Sequence, residues 1–477
     1  MVIVINSESF INKIDGMFDR CSDYAKRELT FRGGRRLTVL YIINLCDKKY
    51  VTEGILKPLS AEDGIYPSRE LMTATLASLP LSECTGESDA RDKILSGNAV
   101  IVGEENGQFF CYAADAKSED GRSISEPDSE SVVRGPRQGF VENAMLNVTM
   151  LRKIIKSERL KVLSYTFGSR TNTDVKVVYY DGIADKRALG ILLKRLEGIR
   201  MDSCVDSGNL ELMLQSSKFN LFSEVGNSEK PDKVASKILG GRIAVICDGS
   251  PVVLTVPYLF TESIQSSEDY LKSVYYATFI RILRVTGMIL AVLLPAVFVA
   301  VQRFHKGALP YSIYKIQTQA RSDVPFGIFT EMLIVLLIFE IVREVGVRMP
   351  KAVGDALSVV GGLILGDAAI KAGITSETVV VIAALTGICN FMNPTFMNAN
   401  VILRLAFVIL AGIFGFYGIA LGIVSVLVIL CGKRSFGADY MMPFSPMGGR
   451  ILYDTVIMKP YAASFGHSRE MDEEYEN

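Results

Sequence analysis

Apolar positions are spread unevenly along the chain, and their density rises near residue 285. Residues 1 to about 280 mix polar and apolar positions as a soluble domain does, whereas residues 285–432 are mostly apolar. Between Ala372 and Gly432, Glu377 and Arg404 are the only formally charged residues. A segment of this length with two charges does not fit a soluble domain, so we expect membrane-spanning helices there.

The apolar part predicts four to six helical spans. Its segments are, in chain order, Val285–Val301 (which contains Pro295), Val324–Val342, Val353–Ile370, Thr378–Phe391 and Val401–Leu430. The third segment is glycine-rich and fits a short or re-entrant helix. The last is too long for one upright helix, so we expect a strongly tilted helix or two helices hinged near Gly412–Gly418.

Basic residues around these spans give a mixed signal for orientation. Those before the first span and after the last favour cytoplasmic termini and an even number of spans, while those between Arg303 and Arg321 oppose this arrangement. The N-terminus has no basic leading region and only a short apolar run, so we predict no signal peptide. We expect the N-terminal domain to stay in the cytoplasm.

The hydrophilic part alternates β-rich runs with amphipathic helical patterns. Strands are predicted at Val175–Tyr180 and Arg242–Asp248, and strands or short buried elements at Leu37–Leu45 and Asn98–Val102. Amphipathic helices are predicted at Phe140–Lys156 and Lys186–Ile199. The polar stretch Ala114–Glu126 would join two subdomains.

These patterns predict an α/β soluble N-terminal domain with two subdomains, followed by an all-α polytopic membrane domain. We place the first subdomain at residues 1–125 and the second at 126–270. The membrane domain, with four to six helical segments, would cover 271–432, and a cytoplasmic C-terminal tail would cover 433–477.

The composition argues against several classes of function. The net charge is −1, which does not fit a nucleic-acid binder. The chain has two histidines, and none of its eight cysteines forms a CxxC pair, so we expect no metal site. It also lacks the GxxxxGK[ST], HExxH, GxSxG and GxGxxG motifs. We therefore expect no cofactor and no enzymatic activity.

Two carboxylates, Glu331 and Glu340, lie inside the second predicted span. A carboxylate in a membrane is energetically costly and usually functional. Nine residues apart, they project about 180° from each other on a helix with 3.6 residues per turn. We expect one to line a pore or polar cavity and the other to pair with a neighbouring helix. Alternatively, Glu340 pairs with Arg343 at the membrane interface and is solvated.

Arg404 is the one basic residue of the last apolar segment. It is interpreted either as part of a polar path or as an internal ion pair that fixes helix packing, with Glu331, Asp355 or Asp367 as partner. Asp355 and Asp367 flank the glycine-rich segment, where they would cap helices or form a polar ring at a pore mouth.

Asn390 and Asn393 belong to a run of asparagines around a proline that interrupts the apolar region. Irregular backbone at membrane depth is tolerated where protein buries it or water reaches it. The run therefore marks either an ion or substrate path or a short interhelical turn.

In the soluble part, Arg134, Pro136 and Arg137 form a predicted rigid basic turn ahead of a helix. This turn would make a docking or interdomain contact, or it would simply be a solvated helix start.

Several segments together resemble the A subunits of GerA-type spore germinant receptors. The similar blocks are Thr38–Leu59, Glu126–Asn143, Gly240–Pro257, Glu262–Tyr270, Ala320–Ser376 and Ser435–Pro446. They follow one another in the family's order and cover nearly the whole chain.

The resemblance implies a multi-pass protein of the spore inner membrane, embedded in the lipid bilayer, with its N-terminal domain in the cytoplasm. It implies assembly with a transporter-like B subunit, which holds the nutrient pocket, and with a lipoprotein C subunit. It also implies a homo-oligomeric ring, expected to be a pentamer, around a path for monovalent cations. Such a ring would share the polar groups of the spans around one axis.

Three alternatives stay open. A paralogue encoded with the dipicolinic-acid channel genes shares most of these blocks and amplifies germination with a different membrane partner. A second alternative is a non-conducting membrane scaffold for germination proteins. A third is a secondary transporter, although the sequence shows no paired inverted repeat.

Overall fold

Residues 7–31, 35–60, 69–76, 79–105, 108–117, 130, 135–217, 220–322, 324–348, 366–445 and 455–458 are those that the computed structural model describes. They divide into two units. The first comprises the described residues up to Tyr258 together with Ser435–Ala438, and the second comprises Leu259–Arg434 and the described residues from Asp439 onward. The predicted domain limits, 1–125, 126–270, 271–432 and 433–477, stay predictions.

A five-stranded antiparallel sheet organises the N-terminal part of the first unit, with strand order β1-β2-β4-β5-β3. Its elements are α1 (Ser7–Met17), β1 (Tyr24–Thr30), β2 (Arg36–Ile42), a π-helical turn (Tyr50–Leu56), α2 (Lys57–Ser60), α3 (Arg69–Thr75), β3 (Leu81–Glu83), α4 (Glu87–Leu95), β4 (Asn98–Glu105) and β5 (Gln108–Asp115).

Both faces of this sheet are buried. Side chains alternate along a strand, so Leu37 and Val39 of β2 enter one apolar core while Leu40 and Ile42 enter the other. Burial on both faces explains why β2 is a nearly continuous apolar run in the sequence.

A second five-stranded antiparallel sheet follows, with order β6-β7-β9-β10-β8. Its elements are α5 (Ala144–Ile154), β6 (Leu160–Phe167), β7 (Thr173–Tyr180), α6 (Lys186–Gly198), α7 (Ser207–Leu214), β8 (Gly226–Ser228), α8 (Pro231–Leu239), β9 (Ile243–Cys247) and β10 (Val253–Val256). This sheet too has an apolar core on each face. Strands β4, β7 and β9 and helices α5 and α6 confirm the corresponding sequence predictions.

The helices of the second subdomain begin at recognisable caps. The Asn143 side chain accepts a hydrogen bond from the Leu146 N–H (2.9 Å), and the Asp185 side chain accepts one from the Arg187 N–H (2.8 Å). Pro231 occupies the first turn of α8. The Asn and Asp side chains accept hydrogen bonds from backbone N–H groups that a helix start leaves unpaired. Proline has no N–H group, so at this position it leaves no donor unpaired.

The second unit is mostly helical. It contains α9 (Val274–Phe304), α10 (Tyr311–Ala320), α11 (Ile328–Arg348), α12 (Glu377–Phe391), α13 (Met397–Phe414) and α14 (Phe416–Gly432), and residues 366–371 are also helical. Pro295 lies inside α9, as the sequence predicts. The α/β domain followed by a helical region confirms the predicted fold class.

Two helices of the described part are long and apolar enough to cross a membrane, Val274–Phe304 and Pro394–Phe414. Glu377–Phe391 and Phe416–Gly432 are apolar but shorter. The predicted segment Val401–Leu430 is two helices, separated by Gly415 at a φ of 61°. Glycine adopts this left-handed backbone without the steric cost of a Cβ, which explains the break.

Candidate functional site in the helical unit

Glu331 lies in the first turn of α11 and its side chain is fully buried. Its Oε1 accepts hydrogen bonds from the Ser376 N–H (2.7 Å), the Ser376 hydroxyl (2.6 Å) and the Thr375 hydroxyl (3.2 Å). Arg321 Nε donates to its Oε2 (3.1 Å). We call Glu331, Arg321, Thr375 and Ser376 the Glu331 cluster.

The Glu331 cluster connects the start of α11 to the start of α12. Ser376 is the residue immediately before α12, so the carboxylate takes a backbone donor that a helix start leaves free. The Arg321 guanidinium balances its charge. In this structure Glu331 is therefore a paired, hydrogen-bonded anchor between two helices, and pore lining stays a prediction.

Glu340 lies in the second half of α11 and forms a second, separate cluster. Its Oε2 lies 2.8 Å from Arg343 Nη2, and its Oε1 accepts a hydrogen bond from Arg404 Nη2 of α13. Arg404 is 1% exposed, while the side chains of Glu340 and Arg343 are 15% and 18% exposed. We call these three residues the Glu340 cluster.

The two carboxylates of α11 therefore contact different partners, as their helical spacing predicts. The Arg404 pairing corrects an expectation, because its partner is Glu340 and not Glu331 or Asp367. Asp355, the third expected partner, lies outside the described residues.

A third cluster precedes and enters α9. Asp269 is fully buried and forms a two-point ion pair with Arg284, with Oδ2–Nη1 at 2.7 Å and Oδ1–Nη2 at 2.8 Å. Arg281 Nε donates to the same Oδ2 at 3.2 Å. The Ser266 N–H also donates to Oδ2, at 3.1 Å, which caps the short helical turn that holds Asp269.

The electrostatics of Asp269 follow from these contacts. Burial alone would raise the pKa of its carboxyl group, but the hydrogen bonds and charges of Arg284 and Arg281 outweigh burial and hold that pKa below the ordinary aspartate value. Asp269 is therefore a charged anchor for the first turns of α9.

The asparagine run joins three helices by side-chain hydrogen bonds. Asn400 Nδ2 of α13 donates to Asn390 Oδ1 of α12 at 3.0 Å, and both side chains are buried. Asn393 Nδ2 donates to the Arg284 carbonyl of α9 at 2.8 Å. Between α12 and α13 a single 3₁₀ turn, Pro394–Phe396, forms the connection. The run is thus a buried, bonded turn in this chain, and its role in an ion or substrate path stays a prediction.

The remaining predicted residues lie away from these clusters. Asp367 forms an exposed ion pair with Lys371 (2.7 Å) within one helix. In the first unit, Pro136 and Arg137 are exposed, and Arg134 lies outside the described residues. Their predicted docking role remains a prediction.

Sequence reasoning missed Asp269, Arg321 and Ser376 as members of buried clusters. For Asp269 a signal existed, since Ser266 three residues before it forms a capping pattern just ahead of an apolar run. In the sequence, Arg321 is one of several basic residues in the loop between two predicted spans. Nothing in its local sequence shows that it reaches Glu331.

Comparison with known proteins agrees with the resemblance found in the sequence. Residues 12–469 match the model of the Bacillus/Clostridium GerA spore germination protein family. The chain belongs to the GerA family. Spore germination protein KA of Bacillus subtilis (strain 168) is 38% identical over 433 residues, which cover 90% of this chain and 79% of that protein.

Two further proteins are similar to this chain. The uncharacterized membrane protein YfkQ of Bacillus subtilis (strain 168) is 34% identical, over 96% of this chain and 89% of that protein. The crystal structure of the N-terminal domain of the A subunit of the Bacillus megaterium spore germinant receptor GerK3 matches 54% of this chain and 96% of that chain, at 25% identity and a TM-score of 0.41.

Proposed function

We propose that this protein is the A subunit of a nutrient germinant receptor in the spore inner membrane. The observation that carries the proposal is membership of the GerA family over residues 12–469, with a relative named spore germination protein KA. The B and C subunits of such receptors are the proposed partners, and the N-terminal α/β unit is placed in the cytoplasm.

The apolar surface of the helical unit supports a membrane location. Helices α11, α12 and α14 carry large apolar side chains that are about two-thirds exposed in the single chain, at Ile341, Val381, Ile388 and Val428. Such a surface is unfavourable in water and suits contact with lipid or with other membrane helices. The relative YfkQ is itself named a membrane protein.

For the mechanism, we infer that several copies surround an ion path that opens when the partner subunit senses nutrient, releasing monovalent cations. Glu331 is the first candidate for this path, followed by Glu340, Asp355, Asp367, Asn390, Asn393 and Arg404. Because Arg321, Thr375 and Ser376 hold the Glu331 carboxylate here, contact with a passing cation requires these bonds to be exchanged on opening.

The deciding experiment measures potassium release from spores that lack this gene, in a strain that also lacks its other A-subunit genes, with single nutrients added separately. Restoring the gene should restore the response to one class of nutrient. In a strain that keeps its other A-subunit genes, a uniform slowing under every nutrient when this gene alone is removed would instead identify the amplifying paralogue. No effect of the restored gene on any response would overturn the proposal.

A further inference from the structure

The Glu340 cluster carries a charge imbalance that nothing else in the described residues offsets. Arg404 and Arg343 supply two guanidinium groups, which stay charged at any ordinary pH, to a single carboxylate. Among the described residues, Glu340 is the carboxylate that pairs with both guanidiniums. The cluster therefore has a net charge of +1 while Arg404 is almost completely buried.

Unused hydrogen-bond donors mark the same place. In the described part of the chain, Arg404 Nε and Nη1 and Arg343 Nη1 are inaccessible to solvent and have no hydrogen-bond acceptor, and Glu340 Oε2 is likewise inaccessible and accepts no hydrogen bond. Buried polar groups in native proteins are overwhelmingly paired. Glu340 Oε2 can accept from one of these three unpaired donors, and the other two indicate that a further acceptor belongs in this position.

The surroundings make a bare positive charge unfavourable there. Phe407, three residues after Arg404 on α13, belongs to the apolar core of the helical unit, and Leu403 and Leu405 of the same helix pack against that core. A charge buried in such surroundings needs a counter-charge, since the low dielectric weakens its solvation. A water molecule would accept hydrogen bonds but would leave the charge unbalanced.

We propose that the Glu340 cluster binds one small monovalent anion, of the size of chloride, held by Arg404 and Arg343. The anion neutralises the cluster and accepts the free guanidinium N–H groups. Its size is limited because Arg404 is only 1% exposed, which excludes a bulky organic anion. This site stabilises the crossing of α11 and α13 and does not depend on the proposed function.

The test uses the purified full-length protein in lipid nanodiscs at constant sodium concentration and ionic strength. Thermal unfolding is compared in chloride, in bromide and in gluconate, which is too large for the site. A ligand that binds only the folded state raises the midpoint temperature, here by roughly 2–4 °C at saturating chloride. Bromide should act like chloride, and its anomalous X-ray signal should lie beside Arg404.

Arg343→Gln is the informative variant, because it makes the cluster neutral and leaves the Arg404–Glu340 pair in place. It should abolish the difference between chloride and gluconate. Arg348→Gln is the matched control, since Arg348 lies on the same helix, is 79% exposed and pairs with Glu344. This control should keep the full chloride effect.

Three results would overturn the proposal. The first is equal unfolding of the unaltered protein in chloride and gluconate, as expected if a carboxylate of a partner chain fills the position. The second is an undiminished chloride effect in Arg343→Gln, which would place the anion elsewhere. The third is the absence of bromide from the Arg404 position in the unaltered protein, which requires no variant to fold.

Discussion

Asp23 and Arg152 form a buried two-point ion pair between the two α/β subdomains. Arg152 Nε lies 2.7 Å from Asp23 Oδ2 and Nη2 lies 3.0 Å from Oδ1, and both side chains are 1% exposed. Arg152 Nη1 also donates to the Ser157 carbonyl at 3.0 Å. Next to this pair, the Ser22 N–H donates to the Val162 carbonyl, so backbone and side chains join the subdomains together.

Asp23→Ala should destabilise the first unit by about 3–5 kcal/mol, because it leaves the Arg152 charge buried without its partner. The double variant Asp23→Leu with Arg152→Met should recover much of this loss, since it removes both charges. Hydrogen exchange of the amides in β2 and β7 of the full-length protein measures the change in local stability.

The matched control for this pair is Arg91→Gln. Arg91 and Glu158 also pair between the two subdomains, at 3.7 Å, but their side chains are 28% and 27% exposed. A pair of this kind contributes under about 1 kcal/mol. Equal effects of Asp23→Ala and Arg91→Gln would contradict the importance given to the buried pair.

Glu331→Gln should change the kinetics of potassium release from spores while the protein still assembles in the membrane. The amide oxygen can keep the hydrogen bonds from Ser376, but the ion pair with Arg321 is lost. We also expect the purified protein to lose about 1–3 kcal/mol of stability, the usual effect on a buried charged hydrogen bond.

Glu344→Gln is the control for Glu331→Gln, because Glu344 lies on the same helix and its side chain is 57% exposed. It should leave both release and stability unchanged. Normal release from Glu331→Gln spores with normal protein levels would remove Glu331 from the proposed ion path and favour the scaffold alternative.

The sequence predicts the features that depend on residues close together in the chain, and it does not predict contacts between distant segments. Local patterns suffice for β7 and β9, because their apolar runs directly reflect burial on both faces of a sheet. For the break near Gly415 they give the position, but they leave one strongly tilted helix as the alternative. The partner of Arg404 could not be predicted, since it depends on how α11 and α13 approach each other in space.

The same limit explains the residues that were missed. Periodicity correctly separates Glu331 from Glu340, yet it cannot say which loop reaches each of them. Arg321 precedes α11 by a few residues and folds back on Glu331. Such a contact depends on the path of the loop, which residue types alone do not determine.

Glu130 gives a pH-dependent contribution to the stability of the first unit. Its carboxylate contacts Lys233 Nζ (2.5 Å), the Ser228 hydroxyl (2.5 Å) and the Glu229 N–H (3.1 Å). Burial raises the pKa of Glu130, but the Lys233 charge and these hydrogen bonds outweigh it, so that its pKa lies below the ordinary glutamate value.

A carboxyl pKa that is lowered by folding stabilises the protein above the unfolded value, about 4.3, and this gain is lost as the pH falls through the folded pKa. Glu130→Gln should therefore lower the unfolding temperature at pH 7, and the difference from the unaltered protein should shrink below about pH 4. The exposed Glu142→Gln serves as control. A difference that stays constant with pH would contradict the assignment.

A substitution at Gly418 tests how tightly α13 and α14 pack at the turn between them. A Cβ at Gly418 would overlap the backbone carbonyl oxygen of Leu410, which cannot move without shifting α13, whereas a Cβ at Gly432 meets nothing within 4 Å. Gly418→Ala should therefore cost about 1–3 kcal/mol, as overpacking does. Gly432→Ala, in the same helix, should be neutral.

Thermal unfolding of both full-length variants in nanodiscs measures the difference. Equal midpoint temperatures would mean that α13 and α14 can separate at Gly415 at little cost, so that this junction bends easily rather than holding the two helices in one arrangement.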